Sequence, residues 1–142
     1  MATTTHLDIV SAEREIFSGP VEVVFAPALE GEVGIYPRHT AMITTLRPGE
    51  VRAVHEGGEE EAFFVSGGIL EVQPHVVTVL SDTALRAEDV DEAAALAAKE
   101  QAEQTLADRQ TDIDFAAARA ELAEAMAQLQ AIQRLRRRTG RA

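Results

Sequence analysis

The residues able to do chemistry in this chain of 142 are four histidines, His6, His39, His55 and His75, and 24 acidic side chains; there is no cysteine. The histidines form no H-x-H pair and no H-E-x-x-H on a helix, so a zinc site or a general base would need them to converge from distant parts of the fold. Neither a G-x-x-x-x-G-K-[ST] loop nor a G-x-G-x-x-G opening a helix is present, and no nucleophile motif stands beside a base. The paired glycines of "SGGIL" at 66–70 lie between strand-like runs and read as a turn or bulge, and Pro48-Gly49 in "LRPGE" as a turn dipeptide. The densest polar cluster is "EGEVGIYPRHTAM" at 30–42, with two Glu, a Tyr, an Arg and a His among turn formers. Three roles are open to it: a catalytic cluster, a metal site, or a surface touched by another protein.

The elements that must position these residues fall into two halves. Before residue 86 lie eight of the nine Gly and all five Pro, with short Val/Ile/Phe-rich runs bounded by turn residues, the pattern of an antiparallel sandwich or barrel. Strands are predicted near 5–11, 20–26, 41–46, 50–55, 61–66, 68–73 and 75–80. Pro74, which cannot donate to a ladder, belongs at a turn or an edge. "EGGEE" at 56–60 predicts a hairpin, because Gly57 and Gly58 supply positive φ.

Beyond Arg86 there is no Pro and one Gly, and strong helix formers dominate. Glu88, Asp89, Asp91 and Glu92 load negative charge where a first helix would begin. "DRQTD" at 108–112 interrupts the pattern, and Thr111-Asp112-Ile113-Asp114 fits a capping box opening a second helix. In that helix Phe115, Leu122 and Leu129 recur at seven, as do Ala118, Ala125 and Ile132. An Ala row lets two helices approach closely but buries little area, at about 25 cal/mol per Å², so a marginally docked hairpin is expected. The domains read as 1–86, a β-sandwich, and 87–142, a two-helix hairpin.

The net charge of −11 is unevenly spread: "RLRRRTGRA" at 134–142 holds five Arg and no acid, leaving 8 basic against 24 acidic side chains before it. That acidic body opposes nucleic-acid binding. The tail itself has two readings, a frayed helix end whose Arg residues complement the dipole, or a basic tip (Arg134, Arg136, Arg137, Arg138) that docks on an acidic partner through planar guanidinium forks. No apolar run approaches the roughly 18 residues of a membrane span, and the start lacks signal-peptide blocks, so a soluble cytoplasmic chain with no membrane insertion is expected.

"HLDIVSAEREIFSGPVE" at 6–22, "EGEVGIYPRH" at 30–39, "FVSGGILEVQPHVVTVLSDTA" at 64–84 and "DVDEA" at 89–93, in this order and spacing, make the chain resemble the epsilon subunit of bacterial F-type ATP synthases over nearly its whole length. The resemblance implies an α+β fold, an N-terminal flattened antiparallel β-sandwich followed by an antiparallel α-helical hairpin. It also implies a non-catalytic rotor subunit of a proton-translocating enzyme, peripheral on the cytoplasmic face of the inner membrane. Its partners would be the gamma subunit, the ring of c subunits and, when the helices extend, the alpha/beta catalytic head, where they block ATP hydrolysis. On this reading Glu30, Gly31, Glu32, Tyr36, Pro37 and Arg38 form a ring-facing docking loop. Ser11, His39 and Thr44 lie toward gamma, and neutralising the basic tip should weaken inhibition. Some relatives bind ATP through Ile/Leu-Asp-x-x-Arg-Ala; here the aligned residues are Val90, Asp91, Glu92, Ala93, Ala94 and Ala95, with Ala94 where the Arg would stand. Two flanking positions, an acid and a base in those relatives, are Leu85 and Gln101. No cofactor is therefore expected, nor tight ATP binding. A sandwich module with an oligomerising hairpin and a His/Glu metal-dependent hydrolase are the competing readings; the first predicts a stable homo-oligomer, the second stoichiometric metal.

Overall fold

The structure, a computed structural model, describes residues 3–107 and 112–139, with side chains from residue 115 onward in the second stretch. The chain divides after Arg86 into two compact units.

The first unit is built of strands β1 (Thr5–Ser11), β2 (Glu15–Val21), β3 (Val23–Ala28), β4 (Gly31–Ile35), β5 (Met42–Leu46), β6 (Gly49–Val54), β7 (Glu60–Val65), β8 (Gly68–Val72), β9 (Val76–Ser81) and β10 (Ala84–Arg86). They follow the order β10-β7-β6-β3-β5-β8-β9-β1-β2, with β4 on the other edge of β3. The path turns over between β3 and β5, where Ala28 and Leu46 form the one register pair. The resulting layers close over one core that includes Leu7, Ile9, Val24, Ile35, Val51, Phe63, Val65, Leu70 and Val79. Each such side chain contributes about 1.5–3 kcal/mol on burial. All strand pairs are antiparallel except β1 with β9, which run parallel in register from His6↔Val76 to Ser11↔Ser81. The expected antiparallel β-sandwich is present, and within it the one parallel seam arises because β1 returns beside a strand far along the chain instead of through a hairpin.

Two glycines are required by packing. A Cβ on Gly68 (φ +127°) would stand 2.0 Å from the carbonyl oxygen of Leu80, and one on Gly49 would stand 2.9 Å from the Pro27 ring. At 56–60 the predicted hairpin joins β6 to β7, with Gly57 and Gly58 at φ 97° and 90°. Pro74 lies in the connection from β8 to β9, closed by the Gln73 N–H on the Val76 carbonyl at 2.8 Å.

Three strands were not legible as such: β2, β4 and β10. The segment predicted as one strand at 20–26 is the end of β2 and most of β3, parted at Glu22. In β4, Gly31 and Gly34 read as turn signals, yet Gly34 is small so that the Phe25 ring can lie over it, 3.2 Å from where a Cβ would be. Gly31 and Glu32 are thus strand residues paired with β3 rather than loop residues, and the turn of that hairpin is Leu29-Glu30.

The second unit begins with a 3-10 turn over Ala87–Asp89, then α1 (Glu92–Ala107) and α2 (Asp112–Arg138). Asp91 is the N-cap of α1: its carboxylate accepts the Ala94 N–H at 3.1 Å, while its carbonyl accepts from Ala95 at 3.0 Å. The interruption at 108–111, and the Thr111 capping box with the side chains of Asp112, Ile113 and Asp114, lie outside the described residues. Of the two heptad rows expected in α2, Ala118, Ala125 and Ile132 are the buried one, joined by Ala127 and Ala131. Phe115, Leu122 and Leu129 are half-buried beside it. On α1 the buried residues are Ala95 and Ala102.

Candidate functional site

The outer face of β5, β8, β9 and β1 carries exposed apolar side chains. Alternation along β5 turns Thr44 inward, half-buried opposite Leu70, and turns Ile43 outward at 73% exposure. Ile69 (46%) and Leu80 (43%) are register partners on β8 and β9, and Val10 of β1 continues the row beyond Leu80. Beside this row an open groove of about 340 Å³ is lined by Val10, Ser11, Ala12, Gly68, Ile69, Leu80, Ser81 and Asp82. Ser11 helps to shape that end: its hydroxyl accepts the N–H of Glu13 (3.3 Å) and Arg14 (3.2 Å) and donates to the Arg14 carbonyl (3.1 Å), fixing the turn from β1 to β2. Of the three residues expected to face gamma, Ser11 thus borders the row, while Thr44 points into the sandwich. The exposed Ile43, Ile69 and Leu80 were not singled out in the sequence, although strict alternation from the inward Leu46 would have placed Ile43 on the outer face.

The 30–39 segment splits into a hairpin tip and a turn. Leu29 (64% exposed) and Glu30 form the tip. Glu32 lies on the outer face of β4, where Arg52 of β6 donates to it at 2.8 Å, donates to Glu60 at 3.2 Å, and stacks over the Phe25 ring at 4.5 Å. Its charge is met from behind. At the far end Tyr36 (61% exposed), Pro37, Arg38 and His39 make a turn closed by the His39 N–H on the Tyr36 carbonyl at 3.2 Å. Pro37 at the second position and φ +66° at Arg38 are the pattern of a type II turn, in which glycine usually takes Arg38's place. The Arg38 N–H also bonds the Pro74 carbonyl at 2.9 Å, and His39 Nδ1 bonds the Thr40 carbonyl at 2.7 Å. A non-glycine residue in the left-handed region costs about 1–2 kcal/mol.

The histidines stay apart. His6 Nε2 meets both Asp8 Oδ1 and Ser18 Oγ at 3.0 Å, and the Ser18 hydroxyl donates to Asp8 at 2.6 Å. A relay would need one ring nitrogen on the hydroxyl and the other on the carboxylate, so this trio is a surface hydrogen-bond cluster. His55 Nε2 lies 2.9 Å from Glu61, whose other oxygen pairs with Arg86; Arg86 also donates to the Ile16 carbonyl at 3.2 Å, tying β10 and β7 toward β2. His75 is exposed. No cluster of three or more His, Asp or Glu suited to a metal occurs among the described residues.

On the helical unit, the expected nucleotide-motif positions take other roles. Asp91 caps α1, Ala95 is buried, and Ala94 and Gln101 are exposed, with Val90 and Leu85 half-buried. In the basic tip, Arg136 donates from both terminal nitrogens to both carboxylate oxygens of Glu92. Arg134, Arg137 and Arg138 lie exposed on the same last turns. Among the described residues no helix is long and apolar enough to cross a membrane.

The fold is a small β-sandwich with exposed apolar side chains on its outer strands, followed by a two-helix unit with an arginine-rich end. Residues 4–87 match the family model described as ATP synthase, delta/epsilon chain, beta-sandwich domain, and residues 88–133 match ATP synthase, delta/epsilon chain, long alpha-helix domain. The chain is 67% identical over 140 residues to the ATP synthase epsilon chain of Nitrosococcus oceani, covering 99% of this chain and 100% of that one. It is 60% identical over 139 residues to the epsilon chain of Alkalilimnicola ehrlichii, covering 98% and 99%. The chain belongs to the epsilon-chain family of F-type ATP synthases, and is a non-catalytic subunit of that complex. Similar folds occur in the mitochondrial ATP synthase of Euglena gracilis, in a complex of OSCP, F1 and c-ring (TM-score 0.81, 22% identity, 91% of this chain and 81% of that one). Another is in the central stalk and c-ring of the Tetrahymena thermophila enzyme (TM-score 0.64, 15% identity, 92% and 97%).

Proposed function

We propose that the sandwich couples two parts of the rotor, with the outer face of β5, β8, β9 and β1 docking on the gamma subunit and residues 29–38 facing the ring of c subunits. The helical unit restrains ATP hydrolysis when its helices extend along gamma and bring the arginine-rich tip to acidic segments of the beta subunits in the alpha/beta head. The subunit works peripherally, on the cytoplasmic face of the inner membrane. The observation that carries the reading is the exposure of Ile43, Ile69 and Leu80 on three adjacent strands of a strongly acidic chain. Apolar side chains grouped in this way mark a covered surface in the assembled state. An Ala-dominated helical seam, which gains little on burial, supports a unit that changes partner. ATP has no place in this switch. The Asp91 carboxylate is engaged as a cap, and Ala94 offers no charge to a phosphate.

Because the chain has no cysteine, one introduced cysteine reacts alone. In the assembled enzyme, a crosslinker on Ile43→Cys or Leu80→Cys should capture gamma, and one on Glu30→Cys a c subunit. Capture of gamma from Glu30→Cys, or of no subunit from Ile43→Cys and Leu80→Cys, would overturn the assignment of faces.

A further inference from the structure

The Glu92–Arg136 pair joins residues 44 positions apart and ties the start of α1 to the end of α2. In an antiparallel hairpin this pairing brings Ala95 within one residue of the level of Ile132, and Ala102 within one residue of that of Ala125, all four of them buried. The α1 N-terminus and α2 C-terminus are then neighbours, with partial charges of opposite sign. Glu92 sits on the positive end and Arg136 on the negative end, so each charge favours both its partner and its own helix. Among the described residues the fully buried side chains between the two ends are Ala with one Ile, so apolar burial adds only modestly to this closure. The pair is also a fork-to-fork contact, the geometry with which arginine recognises any carboxylate.

Arg136 belongs to the tip that the proposed function sends to an acidic partner. One guanidinium fork cannot hold two carboxylates in the same bidentate fashion. We infer that Glu92 is an internal competitor for that partner: it occupies the Arg136 fork while the hairpin is closed, and must release it before the tip docks. Glu92 is a positioning residue in this scheme, since it acts through Arg136. The inference rests on the tip-docking reading for its consequence in the complex, but the closure it describes is a property of the chain alone.

The test uses the full chain with spin labels on cysteines placed at Ala97 and Gln130, both exposed and, in the register of the Glu92–Arg136 pair, within one residue of the same level. The fraction of separated labels is read with Glu92 intact, with Glu92→Gln and with Arg136→Gln. A solvent-screened pair predicts a rise of about two- to fivefold in the open-to-closed ratio for either substitution, and a similar rise in the intact chain at 1 M salt. The same chains are then assembled into the ATP synthase. Glu92→Gln, which frees Arg136, should deepen inhibition of hydrolysis about two- to fivefold, whereas Arg136→Gln opens the hairpin equally without deepening inhibition. A label distribution unchanged in Glu92→Gln overturns the closure. Equal opening with equal inhibition by the two variants overturns the competition, because a purely structural bridge would not distinguish them. If hydrolysis is insensitive even to loss of the whole helical unit, the inhibitory reading falls while the label distances still decide the closure.

Discussion

Replacing Ile43, Ile69 and Leu80 together by Ser removes the apolar row from the outer face without entering the core. Full burial of an Ile or Leu side chain is worth about 1.5–3 kcal/mol. Ile43 is 73% exposed, so covering it by a partner yields about 1.1–2.2 kcal/mol, and covering Ile69 (46%) and Leu80 (43%) about 0.6–1.4 kcal/mol each. The three sum to about 2.5–5 kcal/mol, which corresponds to a loss of affinity for gamma of roughly 50-fold to several thousandfold. Stability of the free chain should change by no more than about 0.5 kcal/mol per site, since none of the three fills the interior. Calorimetric titration of gamma with the two proteins gives the affinity ratio, and urea denaturation checks the fold. Affinity unchanged within threefold, with the fold intact, would refute the assignment of this face.

Other expectations follow from single positions. Gly68→Ala should destabilise the sandwich by more than about 3 kcal/mol, because backbone strain of about 1–3 kcal/mol is joined by a Cβ driven into the Leu80 carbonyl. Gly31→Ala, with a comparable φ and open space around it, should cost the strain alone, and urea midpoints compare the two. Asp91→Ala should remove about 1 kcal/mol from the helical unit by leaving the Ala94 N–H uncapped, read as a lower helical melting transition by circular dichroism. Arg38→Gly should raise sandwich stability by about 1 kcal/mol by relieving its left-handed backbone, yet weaken assembly with the c-ring in a reconstitution assay; weaker stability would mean the side chain, not the backbone, dominates there.

How far the sequence could be read depended on what each residue had to satisfy. Period-two runs such as "VVTVLS" of β9, and the paired glycines at 57–58, announce themselves because their local chemistry and their tertiary role agree. β4 was hidden since Gly34 serves packing against Phe25 rather than a turn, a relation between positions 25 and 34 that only pairing reveals. β2 was hidden by Gly19-Pro20, which a strand at the end of the sheet path tolerates. The same limit applies to the site. The polar segment at 30–39 stood out as the densest polar cluster, but the Arg52 that holds Glu32 lies two strands away along the sheet path from β4, and the Glu92 that holds Arg136 lies 44 residues away. The apolar row needed both alternation and the register of three strands. Asp91 stood by alignment in a degenerate nucleotide motif, and that it caps α1 shows only in the geometry.

The central claim is that a stalk-docked sandwich carries a helical unit that restrains hydrolysis. It is tested most directly by measuring ATP hydrolysis of the catalytic head reconstituted with gamma and either the full chain or a chain ending at Arg86. Higher hydrolysis with the short form, which still binds gamma through its outer strands, is the predicted result. Equal hydrolysis with both forms bound would contradict the account and leave the helices a structural role.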